Sequence, residues 1–403
     1  MLDRSLLEKK LKEIYDILKD IDVQNEHHGV LAGISGISLF QFYYSKLIEE
    51  EEPADHGVDL ITKTIQGINE GYTFPTFCTG IAGAGWVIEL LNEEEFIDID
   101  NDELLEDLDE FLFRSMKENM KDGNYDFLHG AIGYGYYFLK RYRNTVSADL
   151  KNRYKEYLSY LISALKDTSE SSDQGTYWKT TLSKEDDLIG VNLSLSHGLS
   201  SIVNFLSRVY AYEDFKNEVR DLLVDTVRYI RNQKNDDLGL ASLYPSWIHE
   251  GMEKNSKSRL AWCYGDLGIG LSLWQAGKAL DNTAYKEEAV KTIKHATKRK
   301  DLVEAGIKDA GLCHGSFGIA AIFDRMHKET EDPVFKETAD YWMQQALKMD
   351  KHQGNAGYLQ WRGDLEEWKE ESNVLEGIAG IGLVLISFLA TFDTKWDECL
   401  MIG

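Results

Sequence analysis

CHGSFGIAAIF, residues Cys313–Phe323, is a glycine-opened apolar run, and six further copies of the phrase decide how the chain folds. They read HHGVLAGISGISLF (His27–Phe40), CTGIAGAGWVIELL from Cys78, LHGAIGYGYYFL from Leu128, SHGLSSIVNFL from Ser196, CYGDLGIGLSLW from Cys263 and LEGIAGIGLVLI from Leu375. The anchor glycines are Gly33, Gly80, Gly130, Gly198, Gly265, Gly315 and Gly377. Their spacing of roughly 50–70 residues is the range of a repeated supersecondary unit. The copies differ most at the residue before the anchor, which is Ala32, Thr79, His129, His197, Tyr264, His314 or Glu376. A repeated scaffold with its chemistry varied at one position points to a site built where the repeats converge.

Between the phrases lie segments with apolar residues at three- and four-residue intervals, including Leu104–Asn119, Lys151–Leu165 and Phe215–Arg231. The stretches that follow each anchor, such as Ile269–Ala276 and Ile378–Leu389, are apolar almost all round and predict buried helices. The unit is therefore an amphipathic outer helix, a loop and a glycine-opened inner helix. Seven units predict an all-α fold of seven outer and seven inner helices in a double-layered ring, one domain over residues 1–403. Glycine at the head of each inner helix suits either close backbone approach or a positive φ. Three stretches break the rhythm. Asp98–Leu108 is acidic and would cap or extend an outer helix, Asp167–Asp187 is a polar stretch that reads as a rim loop, and Asn232–Ser258 is a long loop with Pro245 and three aromatics. The last two precede the fourth and fifth phrases, where they would overhang whatever those phrases build.

With 43% hydrophobic and 28% charged residues the composition is that of a globular protein. The net charge of −25 argues against nucleic acid or an anionic membrane as partner and leaves a neutral or basic peptide open. Four cysteines in 403 residues make no disulfide framework. The opening MLDRSLLEKKLKEIYDILKD is a charged amphipathic helix rather than a signal peptide, and no apolar run approaches a membrane span, so a cytoplasmic location is expected.

Cys263 in Trp262-Cys-Tyr-Gly265, and Cys313 with His314 in the next phrase, occupy equivalent places in consecutive repeats. Thiolates and imidazole are natural zinc ligands, and a Cys₂His set leaves a fourth tetrahedral position open, as catalytic sites do. A lone cysteine would more simply be a small buried hydrophobe; the pairing beside His314 favours metal. His197 holds the pre-glycine slot one repeat earlier and reads as a fourth ligand, a general acid/base or a core histidine. Asp126 is either a carboxylate partner or a helix cap. Arg259 and Tyr264 flank the first cysteine and either stabilise negative charge or simply pack. His28 and His129 read as scaffold groups, and Cys78 and Cys399 as structural.

WCYGD at Trp262–Asp266, CHG at Cys313–Gly315, SHG at Ser196–Gly198, YDFLHG at Tyr125–Gly130 and the closing Lys395–Leu400 together resemble the lanthionine synthetase C-like family, across essentially the whole chain. The fourth phrase departs from the pattern by lacking the later glycines. The resemblance implies an α/α toroid with one zinc ion held by Cys263, Cys313 and His314, and with Asp126, His197, Arg259 and Tyr264 at the remaining active-site positions. It implies a cyclase of the stand-alone class I type that adds peptide cysteine thiols to dehydroalanine or dehydrobutyrine. The products are lanthionine and methyllanthionine thioether rings. The implied partners are a dehydrated precursor peptide, leader plus core, a separate dehydratase and an export transporter. Two other readings share these residues: an enzyme adding glutathione to dehydroamino acids, and a non-catalytic peptide-binding scaffold.

Overall fold

Residues 2–23, 26–237, 239, 241–253 and 255–403 are described by a computed structural model of the chain. In chain order the helices are α1 (Arg4–Leu18), α2 (Ile34–Ile48), α3 (Glu52–Asn69), α4 (Ile81–Glu93), α5 (Asn101–Lys121), α6 (Ala131–Asn144), α7 (Ala148–Thr168), α8 (Leu199–Tyr210) and α9 (Lys216–Asn232). They continue with α10 (Asp266–Ala279), α11 (Thr283–Ala296), α12 (Leu302–Ala305), α13 (Ser316–Thr330), α14 (Pro333–Leu347) and α15 (Ile378–Leu389). Each of the seven phrases opens one helix, namely α2, α4, α6, α8, α10, α13 and α15, with its anchor glycine as the N-cap. An amphipathic helix precedes each: α7, for example, buries Leu150, Tyr154, Tyr157, Leu158, Leu161, Ile162 and Leu165, one stripe at helical spacing. The inner helices are buried without a stripe, and α15 has no exposed position from Ile378 through Ile386. Side-chain caps start the outer helices, with Asp100 accepting from the Asp102 and Glu103 amides of α5 and Ser147 from Leu150 of α7.

Close approach, more than φ, explains the anchors. Only Gly265 has a positive φ (+88°); the other six are extended. A Cβ on any of the seven would lie 2.1–2.6 Å from an atom of the preceding loop. In four copies the glycine three residues later is tighter still. At Gly36, Gly83, Gly318 and Gly380 a Cβ would meet the carbonyl oxygen of Val30, Phe77, Leu312 or Val374 at 1.9–2.0 Å. The fourth phrase carries Ser201 there, and its hydroxyl donates to the Gly198 carbonyl at 2.7 Å.

The chain packs as two compact units. In the unit formed by Met1–Ile99 and Ile307–Gly403, α1 and α2 both pack on α15. The phrase loops there are stitched backbone to backbone. Leu31 N donates to Cys78 O at 3.1 Å, Leu375 N to Leu31 O at 2.8 Å, and Cys313 N to Leu375 O at 2.9 Å. The sixth, seventh, first and second phrases thus lie side by side. In the unit Asp100–Gly306, Leu195 N donates to Cys263 O at 3.0 Å and joins the fourth phrase to the fifth.

The two rhythm-breaking loops are not featureless. Asp167–Asp187 contributes β1 (Glu170–Ser172), β2 (Gly175–Tyr177) and β3 (Thr180–Ser183), followed by β4 (Leu188–Asn192). The loop over 232–258 contributes β5 (Trp247–Ile248), which pairs antiparallel with β4 in a three-stranded sheet ordered β3-β4-β5. Leu238, Leu240 and Lys254 of that loop lie outside the described residues. A further hairpin, β6 (Gln360–Arg362) with β7 (Glu367–Lys369), belongs to the other unit and breaks no sequence rhythm that announces it.

Candidate active site

Cys263 stands two residues before its anchor, in the loop entering α10, with only 4% of its surface exposed. Cys313 and His314 end the loop entering α13, where the Cys313 amide is held by Leu375 O. Cys263 belongs to the unit Asp100–Gly306, and Cys313 and His314 to the unit that contains Ile307–Gly403; each stands in the loop that enters its own inner helix. Thiolate and imidazole are donors that tetrahedral zinc takes. The donor set, two thiols and an imidazole, is also the one zinc prefers. Cys78 and Cys399 are buried. Burial pushes the Cys399 thiol far up, which suits a structural role.

Asp126 and His197 meet in the other unit. The loop entering α6 places Asp126, whose Oδ1 accepts the His129 amide at 2.8 Å. Its Oδ2 pairs with Nδ1 of His197. Asp126 is thus a histidine partner that also braces its own loop, one role on each carboxylate oxygen; it is not the helix cap, because Gly130 is the N-cap of α6. Burial acts to lower the His197 pKa, but the hydrogen bond and charge of Asp126 outweigh it, and His197 stays above the ordinary histidine value. With Nδ1 committed to Asp126, Nε2 is the ring nitrogen left to exchange a proton.

His197 and Asp126 line a cavity of about 240 Å³ together with Asn124, Asn192, Trp247 and Tyr264. Thr180, Thr181 and Leu182 of β3 also line it, so both long loops reach the site as the chain order suggests. The Tyr264 ring lies 6.3 Å from the His197 ring and 6.1 Å, edge-on, from Trp247. Burial raises the Tyr264 phenol, which keeps its proton, and Asn192 Nδ2 donates to its oxygen at 3.4 Å. Arg259 is exposed at the base of the same loop, and its charge acts on Tyr264. His28 is buried with its amide bonded to Thr79 O and its ring edge-on to Tyr72 at 4.3 Å, a scaffold role as expected.

Two residues of consequence, Asp266 and Asp309, carry no sequence signal of their own, and a third, Glu376, is marked only by its pre-glycine slot. Asp266, the last residue of WCYGD, is fully buried and accepts the Leu243 and Tyr244 amides at 2.9–3.0 Å, tying the loop that carries Trp247 to the head of α10. Glu376, before the seventh anchor, has its carboxyl raised by burial and opposed by the charge of His314. Asp309 is buried five residues before His314 and faces it. The pre-glycine rule would have found only Glu376.

A family model described as lanthionine synthetase C-like protein matches residues 27–401. The chain belongs to the lanthionine synthetase C-like family. A solved structure, "Nisin cyclase", superposes with a TM-score of 0.74 at 20% identity, covering 98% of this chain and 96% of that one. That likeness shows the fold, an α/α toroid, as the repeat count and the resemblance both led one to expect. A curated relative, the nisin biosynthesis protein NisC of Lactococcus lactis subsp. lactis, is 26% identical over 224 residues. The match takes in 53% of this chain and spans about half (48%) of that relative. Among the described residues no helix is long and apolar enough to cross a membrane.

Proposed function

We propose that the chain is a zinc-dependent lanthipeptide cyclase, a single toroid domain over residues 1–403. The observation that carries this reading is that a chain of this family sets Cys263, Cys313 and His314 in one register before the anchor glycines of consecutive phrases. Those three residues would hold one zinc ion, which supplies a Lewis acid that keeps a peptide thiol as a nucleophilic thiolate at neutral pH; an unassisted thiol, with a pKa near ~8.5, is mostly protonated there.

The thiolate sulfur adds to the β-carbon of a dehydroalanine or dehydrobutyrine. The π electron pair moves through Cα onto the carbonyl oxygen, giving an enolate, and a proton returned to Cα completes the thioether. His197 supplies that proton from Nε2, and Asp126 keeps the imidazole oriented and charged. Arg259 would stabilise the developing negative charge as a guanidinium donor. Tyr264, with its phenol held protonated by burial, donates to the enolate or positions the acceptor. Trp247 and the β3 strand wall the cavity in which the acceptor residue is held. The substrate is a dehydrated precursor peptide, consistent with the acidic surface, and a separate dehydratase would supply it in the cytoplasm, with an export transporter downstream.

The zinc-loaded protein should be incubated with a dehydrated, cysteine-containing peptide, with and without glutathione, then alkylated and weighed. Cyclisation leaves the mass unchanged and removes alkylatable thiols. Glutathione adducts with peptide thiols intact would instead select the glutathione-adding reading, and unchanged peptide would select a binding scaffold.

A further inference from the structure

The loop before His314 reads Lys308-Asp-Ala-Gly-Leu-Cys-His-Gly315. Asp309 is 3% exposed, and its carboxylate is used from three sides. Oδ1 accepts the Gly311 amide at 3.1 Å, and Oδ2 accepts the Trp361 amide of β6 at 3.1 Å. The same Oδ2 lies 3.4 Å from Nε2 of His314. All of these residues belong to one compact unit. Two backbone amides, one on each oxygen, hold the carboxylate in place beside the imidazole.

A carboxylate only accepts, so the ring nitrogen that faces it carries the hydrogen. Neutral imidazole has one N–H; placing it on Nε2 leaves the Nδ1 lone pair free. Outer carboxylates of this kind commonly fix the tautomer and aim of a metal-binding histidine. We propose that Asp309 is a positioning residue that holds His314 as its Nε2–H tautomer and thereby presents Nδ1 as the ligand nitrogen of the Cys263–Cys313–His314 group. This rests on the metal reading of that group. It also gives the β6–β7 hairpin a function: by occupying Oδ2 through the Trp361 amide, β6 locks the carboxylate that aims the histidine.

The test combines zinc affinity with the histidine tautomer. Zinc affinity of wild type, Asp309→Asn, Asp309→Glu and Glu376→Gln is measured by competition with a chromophoric chelator. The tautomer of His314 is read in the zinc-free protein from ¹⁵N-histidine NMR, with His314→Gln to assign the signal. Asp309→Asn turns an amide N–H₂ toward His314 or loses the Gly311 contact. It should weaken zinc about 10–100-fold and lose the Nε2–H signature, with Asp309→Glu recovering part of both and Glu376→Gln preserving the tautomer. A purely structural Asp309 would not move the tautomer. Wild-type His314 found as Nδ1–H, or Asp309→Asn matching wild type in both readouts, overturns the assignment while leaving the zinc site standing. Wild type that fails to compete for zinc at all overturns the metal reading and this proposal with it. Should Asp309→Asn not fold, the wild-type tautomer alone decides.

Discussion

Replacing Gly318 by alanine probes the coupling of scaffold to site at one atom. The new Cβ would stand 2.0 Å from the carbonyl oxygen of Leu312. Real contacts of this kind do not fall below about 3 Å, so the loop must retreat by at least about 1 Å, and the obstacle is backbone, which cannot rotate aside. Overpacking of this sort costs about 1–3 kcal/mol, and a rigid obstacle places it at the upper end. For a unit of this size the midpoint of thermal unfolding moves roughly 2–4 °C per kcal/mol, so circular dichroism should record a fall of roughly 5–10 °C. Leu312 is peptide-bonded to Cys313, and metal ligands tolerate only about 0.2 Å of displacement. Zinc affinity in the chelator competition should therefore fall at least about tenfold alongside the stability. Gly251→Ala is the control: its φ is +76° and nothing lies within 4 Å of a Cβ there, so it carries about 1 kcal/mol of backbone strain and no loss of zinc. Gly318→Ala unfolding within about 2 °C of wild type with unchanged zinc affinity would refute the claim that this glycine seats the Cys313 loop.

Cys313→Ala should abolish stoichiometric zinc in metal analysis, while Cys78→Ala retains it; full occupancy in the first variant would remove Cys313 from the ligand set. His197→Asn should slow ring closure about 10²–10⁴-fold with zinc still bound, and loss of zinc instead would return His197 to the ligand set. Because Asp126 holds His197 above the ordinary histidine value, the alkaline limb of the pH–rate profile should move to lower pH in Asp126→Asn; an unmoved limb would separate Asp126 from the proton donor. Burial pushes the Asp266 carboxyl from 3.8 to about 6. The folded chain then keeps a proton that the unfolded chain has released, so this residue's contribution to stability declines as pH rises from about 4 to about 6, by up to about 3 kcal/mol. Asp266→Asn should lack that slope, so the difference in thermal midpoints between wild type and variant should change with pH across that range, and parallel curves would contradict it.

The inner helices were legible because their glycines answer a steric demand that recurs. A Cβ 1.9–2.0 Å from a carbonyl at Gly36, Gly83, Gly318 and Gly380 leaves little choice of residue, and repetition makes the demand visible. The ligand candidates were legible for the same reason, since Cys263 and Cys313 hold one register in consecutive copies. The strands were not. β1 and β7 are three residues long and exposed throughout, with no alternation to read. β5 is two residues inside a loop. Asp309 escaped notice because its meaning depends on Trp361, 52 residues later in a hairpin without a sequence signature. Asp266 sat within the most specific motif of the chain, yet its partners, Leu243 and Tyr244, are reached only through the fold.

Ring closure measured on one preparation before and after removal of zinc tests the account most directly. A dehydrated peptide with one cysteine is incubated with zinc-loaded protein, with chelator-stripped protein and with stripped protein given zinc back. Alkylatable thiols should disappear in the first, persist in the second and disappear again in the third, with Cys313→Ala behaving like the stripped sample throughout. Thiol loss at the same rate in all three samples would contradict the claim that Cys263, Cys313 and His314 hold the metal on which the chemistry depends.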